Sequence, residues 1–202
     1  YDATPLNGPL NGLFVGVKDN ISTFDFPTKM GTEYWSGTPG GFDSRVVHNI
    51  RMAGATIVGK TKCSEFAVHA RTGTINPRYT DCEPGTSSSG SAAAVAAGSV
   101  SLTLATQTAG SIAKPASYCG VIGYKPTFGD LPRTGILKTT EHFDTVGFIG
   151  RRVADLRTIY SVSRVSGSNH PFHEKQRALQ NLSRFKNLII FSSPNLDDAT
   201  AD

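Results

Sequence analysis

A stretch of small and hydroxylated residues, PGTSSSGSAAAVAAGSVSLTLATQTAGSIAKPASYCGVIGYKPT (Pro84–Thr127), organises this sequence. It contains two turns rich in glycine and hydroxyl groups, Gly85–Ser91 and Thr106–Ser111, and each turn adjoins an apolar segment. Turns of Gly, Ala, Ser and Thr let backbone N–H groups approach a substrate closely, and their hydroxyls are potential nucleophiles or proton carriers. Two such turns in one stretch predict one composite site.

Strand-like and helix-like patterns alternate on both sides of these turns. Ser101–Thr106 alternates leucines with hydroxyl residues, so we expect a half-buried strand that leads directly into the second turn. Ser88–Ala97 is rich in alanine and predicts a helix. Its side chains are so small that the helix can lie close against a sheet. The other predicted strands are 13–17, 55–59, 120–124 and 188–191, and the other predicted helices are 44–53, 63–69 and 153–165. This alternation predicts an α/β domain with a largely parallel or mixed sheet.

Lys18 follows the short apolar run Leu13–Val17, at the point where the predicted strand ends. A lysine at a strand end is usually a surface charge. Buried among small polar residues, however, a lysine can lose its proton, because desolvation lowers its pKa by up to about 3 to 5 units. Lys18 is therefore a candidate general base.

The composition is typical of a globular protein with one core, since 38% of the 202 residues are hydrophobic and 18% are charged. No apolar run approaches the roughly 20 residues that cross a bilayer, so we expect no membrane segment. The net charge is +4 and the pI is about 9.0. Lysines and arginines are nevertheless scattered along the chain, which favours a solvated surface over a nucleic-acid interface.

The three cysteines, Cys63, Cys82 and Cys119, form no Cys-x-x-Cys pair. Their odd number and their spacing argue against a disulfide framework and against a structural zinc site. They favour a reducing compartment, so we expect a cytoplasmic protein. The chain begins at Tyr1 without a signal-peptide pattern and stops at Asp202, so we expect one α/β domain over 1–202 that is truncated at both ends.

Two motif matches are set aside because their context is wrong. Gly54–Thr61 matches the phosphate-binding pattern G-x-x-x-x-G-K-[ST], but its variable positions are the predicted strand itself and its second glycine is the expected strand exit. Ser111–Lys114 reads S-x-x-K, but the partner motifs S-D-N and K-T-G are absent, and Pro115 would break a helix that carries both residues. His48 and His69 have no visible nucleophile beside them, so we interpret them as core or surface residues.

Further motifs fall in order along the chain. Within the quoted stretch they are Pro84–Ala94, Gln107–Ala116 and Cys119–Thr127, and outside it they are Gly16–Asn20, Ala53–Thr61, Phe143–Gly147 and Val153–Leu156. Together, over roughly residues 9–160, they resemble the amidase signature family. The resemblance implies an α/β fold with a mixed twisted sheet and helices on both faces. It also implies hydrolysis of amide bonds by a triad of Ser, cis-Ser and Lys, without a metal or a cofactor.

The resemblance assigns a role to residues of both turns. Ser111 matches the family's nucleophile, Ser87 matches the cis-serine, and Lys18 matches the base. A proton would pass from Ser111 through Ser87 to a neutral Lys18 and later return to the leaving amine. The resemblance also implies supporting hydrogen bonds from Ser88. The backbone N–H groups that match the family's oxyanion loop are those of Thr108, Ala109, Gly110 and Ser111.

The sequence departs from the family's usual residues at four turn positions, Thr86, Gln107, Ala109 and Lys114. None of them is a triad member, but they weaken a carry-over of substrate from the family's branch of glutaminyl-tRNA-forming amidotransferases. We expect the pocket walls to come largely from the loops before Ser44 and from segments beyond this chain.

Two hypotheses about function follow. In the first, the protein hydrolyses a small-molecule carboxamide through an acyl-enzyme on Ser111, and it is compatible with a homo-oligomer. In the second, it is a noncatalytic or incomplete binding or assembly subunit that retains the fold.

Overall fold

The sheet and its helices are seen in a computed structural model that describes residues 7–37 and 41–165. The strands are β1 (Phe14–Lys18), β2 (Thr56–Thr61), β3 (Leu102–Gln107), β4 (Ile122–Tyr124) and β5 (Thr145–Gly150). The α-helices are α1 (Arg45–Met52), α2 (Ser89–Ala96), α3 (Ala113–Tyr118) and α4 (Val153–Ser163), and Glu65–Ala67 forms one 3-10 turn. The strand expected at 188–191 lies outside the described residues.

The five strands form one mixed sheet in the order β2-β1-β3-β5-β4. β1 pairs in parallel with both β2 and β3, whereas β5 runs antiparallel to β3 and to β4. The mixed α/β sheet expected from the sequence is therefore confirmed. The antiparallel strand β5 was not predicted, because Thr145–Gly150 contains two glycines and has no alternation of apolar and polar residues.

Helices cover both faces of the sheet, as predicted. On one face, alternate residues of β1, β3 and β5 pack into a core with α1 and α4. On the other face, Ala105 of β3 and Ile149 of β5 pack against α2 and α3. Every residue of β3 is buried, so the prediction of a half-buried strand was wrong. β3 is the middle strand, and Leu102 and Leu104 face α1 and α4 while the hydroxyl of Thr103 donates to the backbone oxygen of Ser91 in α2.

The helix α1 and the strand β2 confirm that Gly54–Thr61 lies in the wrong context for a phosphate-binding loop. Ser44 caps α1 by accepting a hydrogen bond from the Val47 N–H. Gly54 then ends the helix at a φ of +94°, in the left-handed region that glycine favours. The strand continues through Gly59 to Thr61, so Gly59 is not the strand exit that we expected. It lies instead just beyond a register shift between β1 and β2.

Two short helical elements differ from the sequence prediction. α3 was missed, although it follows the second turn directly. Pro115 lies in its first turn, where the absent N–H breaks no intrahelical hydrogen bond. The helix begins at Ala113, so it carries Lys114 but not Ser111, and no helix bears both residues of the S-x-x-K match. The helix expected at 63–69 is reduced to the single 3-10 turn Glu65–Ala67.

One edge of the sheet collects the ends of three strands. β1 ends at Lys18 and β3 ends at Gln107, and these parallel strands point the same way. β5 runs in the opposite direction and begins there, because Thr145 pairs with Gln107. Residues distant in sequence therefore meet at this edge.

None of the helices in the described part of the chain has the length and hydropathy of a membrane-spanning segment.

Candidate active site

Lys18 is fully buried at the end of β1 and is held by three oxygen atoms. Its Nζ lies 2.8 Å from Ser87 Oγ and 2.8 Å from Thr106 Oγ1, and 3.3 Å from the Thr106 backbone oxygen. The side chain is thus enclosed by polar groups of its own chain. The interpretation of Lys18 as a surface charge is excluded.

The first glycine-rich turn brings Ser87 to Lys18. The peptide bond between Thr86 and Ser87 is cis. Gly85 has a φ of +77°, and a Cβ at this position would approach Pro115 Cα to 2.9 Å, so the turn can lie against α3 only with glycine here.

Ser88 ties the two turns together. Its backbone N–H donates to the Ser111 backbone oxygen at 3.3 Å, and its hydroxyl donates to the Thr106 backbone oxygen at 3.2 Å. Both sequence-predicted turns therefore belong to one site.

Ser111 is buried and lines the same small cavity as Ser87. The cavity holds about 10 Å³, roughly the space of one water molecule. Thr108–Ser111 lead into it, and none of their backbone N–H groups donates to a described residue. Gln107 Oε1 shapes this loop by accepting hydrogen bonds from the N–H groups of Ile112 at 2.8 Å and Ala113 at 2.9 Å. Although Gln107 differs from the residue usual in the family, its side chain still accepts hydrogen bonds from backbone N–H groups that follow the turn.

A buried carboxylate, Asp144, joins the loop after β3 to the segment before β5. It accepts hydrogen bonds from the Thr108 hydroxyl at 2.5 Å, the Thr139 N–H at 2.5 Å and the Thr140 N–H at 2.8 Å. Burial alone would raise the pKa of Asp144, but these hydrogen bonds outweigh it and lower the pKa. Asp144 is therefore ionised around neutral pH.

The electrostatics of the site centre on Lys18. Burial lowers the pKa of Lys18 to about 7, while negative charge at Cys63 and at Asp144 acts in the opposite direction. Burial raises the pKa of Cys63 to about 11, so its thiol is neutral near pH 7. Asp144 is then the negative charge that raises the pKa of Lys18, against the lowering that desolvation causes. A large share of Lys18 is an uncharged amine at neutral pH and can accept a proton.

The two histidines singled out in the sequence stand apart from this site. His48 is partly buried on α1 and His69 is exposed, and neither lines the cavity. The three cysteines are free, with Cys63 and Cys119 buried and Cys82 exposed. In the described part of the chain, no group of His, Cys, Asp and Glu side chains could hold a metal ion.

Sequence reasoning missed three residues of the site: Asn20, Thr106 and Asp144. Each lies within or beside a quoted motif, but nothing local indicated its contacts. The loops before Ser44 supply less of the cavity wall than expected, because Asn20 is the only wall residue before Ser44 among the described residues and 133–146 supplies much of the rest. An antiparallel bridge between Ile21 and Ile136 holds that segment against the site.

Comparison with known proteins places these motifs in a family. The sequence profile of the family described as Amidase matches residues 1–186. The chain belongs to the amidase signature family. Over 161 residues it is 42% identical to the chloroplastic/mitochondrial A subunit of glutamyl-tRNA(Gln) amidotransferase from Oryza sativa subsp. indica, and the match covers 77% of this chain and 30% of the relative. It is 41% identical over 162 residues to the corresponding A subunit from Methanospirillum hungatei, with 77% and 38% covered.

Solved structures of the amidase signature family have the same fold. The A subunit of glutamyl-tRNA(Gln) amidotransferase from Thermotoga maritima superimposes with a TM-score of 0.76 at 36% identity, over 82% of this chain and 38% of that protein. The peptide amidase from Stenotrophomonas maltophilia does so with a TM-score of 0.74 at 37% identity, over 82% and 36%. The chain thus spans little more than a third of these two amidase signature proteins.

Proposed function

We propose that this amidase signature chain carries the catalytic core of a hydrolase that cleaves the C–N bond of carboxamides through an acyl-enzyme on Ser111. The observation that carries the proposal is the 2.8 Å hydrogen bond between the buried Lys18 Nζ and Ser87 Oγ, beside a cavity that Ser111 also lines. A nucleophilic serine needs a neighbouring base, and a lysine with a pKa of about 7 can act as one at neutral pH.

The first half of the proposed reaction forms the acyl-enzyme. Ser111 Oγ attacks the carbonyl carbon of the substrate while its proton passes to Ser87, whose own proton passes to neutral Lys18. The backbone N–H groups of Thr108–Ser111 are available to stabilise the oxyanion, and such donors are each worth about 100-fold or more in rate. The C–N bond then breaks, and the leaving nitrogen takes a proton from Ser87 as Lys18 returns one to Ser87.

The second half releases the product. A water molecule attacks the acyl carbon, and its proton follows the same path through Ser87 to Lys18. The C–O bond to Ser111 breaks, Ser111 regains a proton through Ser87, and a carboxylic acid leaves. Each proton that Lys18 accepts is returned, so the protein is unchanged at the end.

A second proposal concerns the acceptor of the released nitrogen. The 42% identity with the A subunit of a glutamyl-tRNA(Gln) amidotransferase favours a protein that works as one component of an amide-transferring assembly. The test is to compare amide transfer to glutamyl-tRNA(Gln) with hydrolysis in water, with and without candidate partner proteins. Transfer that appears only with partners favours this proposal, whereas hydrolysis of small amides by the protein alone favours a plain amidase.

The catalytic proposal is tested with a fluorophosphonate, which labels activated serines. We expect intact-mass spectrometry to show one adduct, at Ser111, and amide hydrolysis to disappear in Ser111→Ala. Ser101→Ala is the matched control, because Ser101 lies before β3 and outside the cavity. Labelling or hydrolysis that persists in Ser111→Ala rejects the assignment. A folded protein that takes no label supports the noncatalytic alternative.

A further inference from the structure

Asn20 is a buried amide beside the proposed proton path. It is 1% exposed and lines the cavity together with Ser87 and Ser111. Its Nδ2 donates to Thr106 Oγ1 at 3.0 Å, and the same hydroxyl lies 2.8 Å from Lys18 Nζ. The shared hydroxyl therefore holds the Asn20 amide next to Lys18.

The other end of this amide, Asn20 Oδ1, has no partner. It is buried and accepts no hydrogen bond from any described residue. One further buried side-chain atom of the described residues shares this condition, Ser163 Oγ at the end of α4, and Ser163 does not line the cavity. An unsatisfied buried acceptor costs free energy, so one beside a reacting centre calls for a donor that arrives with the ligand.

We propose that Asn20 Oδ1 accepts a hydrogen bond from the N–H of the carboxamide that is cleaved. This inference rests on the proposed function. Ser87 returns a proton to the leaving nitrogen in that mechanism, so the nitrogen lies against Ser87, in the cavity that Asn20 lines. A carboxamide nitrogen brings the donor that Oδ1 lacks.

The contact has a consequence for the chemistry. When Ser111 attacks, the lone pair of the nitrogen is no longer delocalised into the carbonyl group, and it must point at the proton donor, Ser87. Holding one N–H at Asn20 Oδ1 fixes rotation about the C–N bond and so orients that lone pair. The contact also selects substrates, because N,N-dialkyl amides and esters have no N–H to donate and would leave the buried acceptor unpaired.

A bound water is the competing donor, since the cavity has room for about one. A water would satisfy Oδ1 whatever the substrate, or would serve as the nucleophile that releases the acyl group. In both cases the loss of Oδ1 would affect all substrates alike. The two explanations therefore predict different changes in substrate preference when Oδ1 is removed, whereas both predict a loss of rate.

The test compares four substrates that share one acyl group: the primary amide, the N-methyl amide, the N,N-dimethyl amide and the methyl ester. In Asn20→Leu, which has a similar volume but no acceptor, we expect the kcat/KM preference for the primary over the N,N-dimethyl amide to fall about tenfold. The dimethyl amide serves as the internal control, because it needs the same protonation of nitrogen but has no N–H. Asn49→Leu on α1 is the matched control outside the cavity and should leave the preference unchanged.

A second variant distinguishes the loss of the acceptor oxygen from a general disturbance of the fold. Asn20→Asp keeps the size and an acceptor oxygen, so it should retain the preference for N–H even where its charge changes the absolute rate. Equal losses on all four substrates in Asn20→Leu, or a lost preference in Asn20→Asp, would overturn the inference. Failure of the wild-type protein to hydrolyse any of them, with no label on Ser111, would overturn the proposed function and this contact with it.

Discussion

The Thr108 hydroxyl donates a 2.5 Å hydrogen bond to Asp144 Oδ1, which joins the loop after β3 to the start of β5. The same carboxylate accepts the backbone N–H groups of Thr139 and Thr140. One buried side chain therefore fixes two walls of the cavity, and it brings a negative charge to the surroundings of Lys18.

Removing this carboxylate should loosen the cavity and the fold together. We expect Asp144→Ala to lower the free energy of unfolding by roughly 2–4 kcal/mol, because it leaves several donors without an acceptor. Thr108→Val removes only one of these hydrogen bonds and should cost about 1 kcal/mol. Urea unfolding of the three proteins measures both losses. An Asp144→Ala protein as stable as the wild type would show that the carboxylate does not hold these segments.

The buried amine of Lys18 should make stability depend on pH. Its pKa is about 7 in the folded protein against 10.5 ordinarily, so between these values the unfolded chain binds more protons than the folded one. Stability must then rise with pH over this range, by about 1.4 kcal/mol per unit. Relative to Lys18→Met, which has no such proton, the wild type should gain about 2 kcal/mol from pH 7 to pH 9, because the folded amine is already half deprotonated at pH 7. Parallel stability curves of the two proteins over this range would mean that the amine is charged in the fold.

The charge at position 107 should set where activity rises with pH. The wild-type rate should rise through about pH 7 as Lys18 loses its proton. Gln107→Glu keeps an acceptor for the N–H groups of Ile112 and Ala113 but adds a negative charge beside Thr106, which holds Lys18. That charge favours the protonated amine, so the rise should move to higher pH by about one unit.

The neutral variant Gln107→Leu is the control for this shift. It loses the acceptor without adding charge, so its rate should fall while the rise stays near pH 7. A pH–rate profile of kcat/KM for each protein makes the comparison. A rise that stays in place in Gln107→Glu, or moves to lower pH, contradicts the assignment of Lys18 as the base.

Close packing between α2 and the end of β2 gives a prediction about stability alone. A Cβ at Gly90 would approach the Lys62 backbone nitrogen to 2.5 Å and its oxygen to 2.7 Å. Gly90→Ala must therefore push α2 away from the sheet and should destabilise the protein by roughly 1–3 kcal/mol. Gly41→Ala is the control, since nothing lies within 4 Å of a Cβ there. Equal thermal unfolding temperatures of the two variants would contradict the packing.

Elements with a helical period, an apolar run or an alanine-rich composition were predictable from the sequence. The helices α1, α2 and α4 lie within a few residues of their expected bounds, as do the strands β1 to β4. The motifs also indicated which residues would converge, and the structure brings Lys18 and Ser87 to 2.8 Å. The catalytic roles of these residues stay predictions, as do the cytoplasmic location and the homo-oligomer.

The rest depends on contacts between segments that lack a local pattern. β5 has two glycines, so no alternation marked it as the strand that runs beside β3. Without β5 in place, nothing indicated that Asp144 would reach Thr108 or that 133–146 would wall the cavity. The buried contacts of Asn20 and Thr106 likewise depend on the complete burial of β3. The alternating sequence of β3 had predicted a strand with only one buried face.

The strand order also bears on when the site can come into being during synthesis. β4 leaves the ribosome before β5, yet it joins the sheet only through β5, which inserts between it and β3. A nascent chain that has emerged only as far as β4 has no place in the sheet for that strand, and it lacks Asp144, which holds the loop after β3. The pocket can therefore close only after residue 150 has been made.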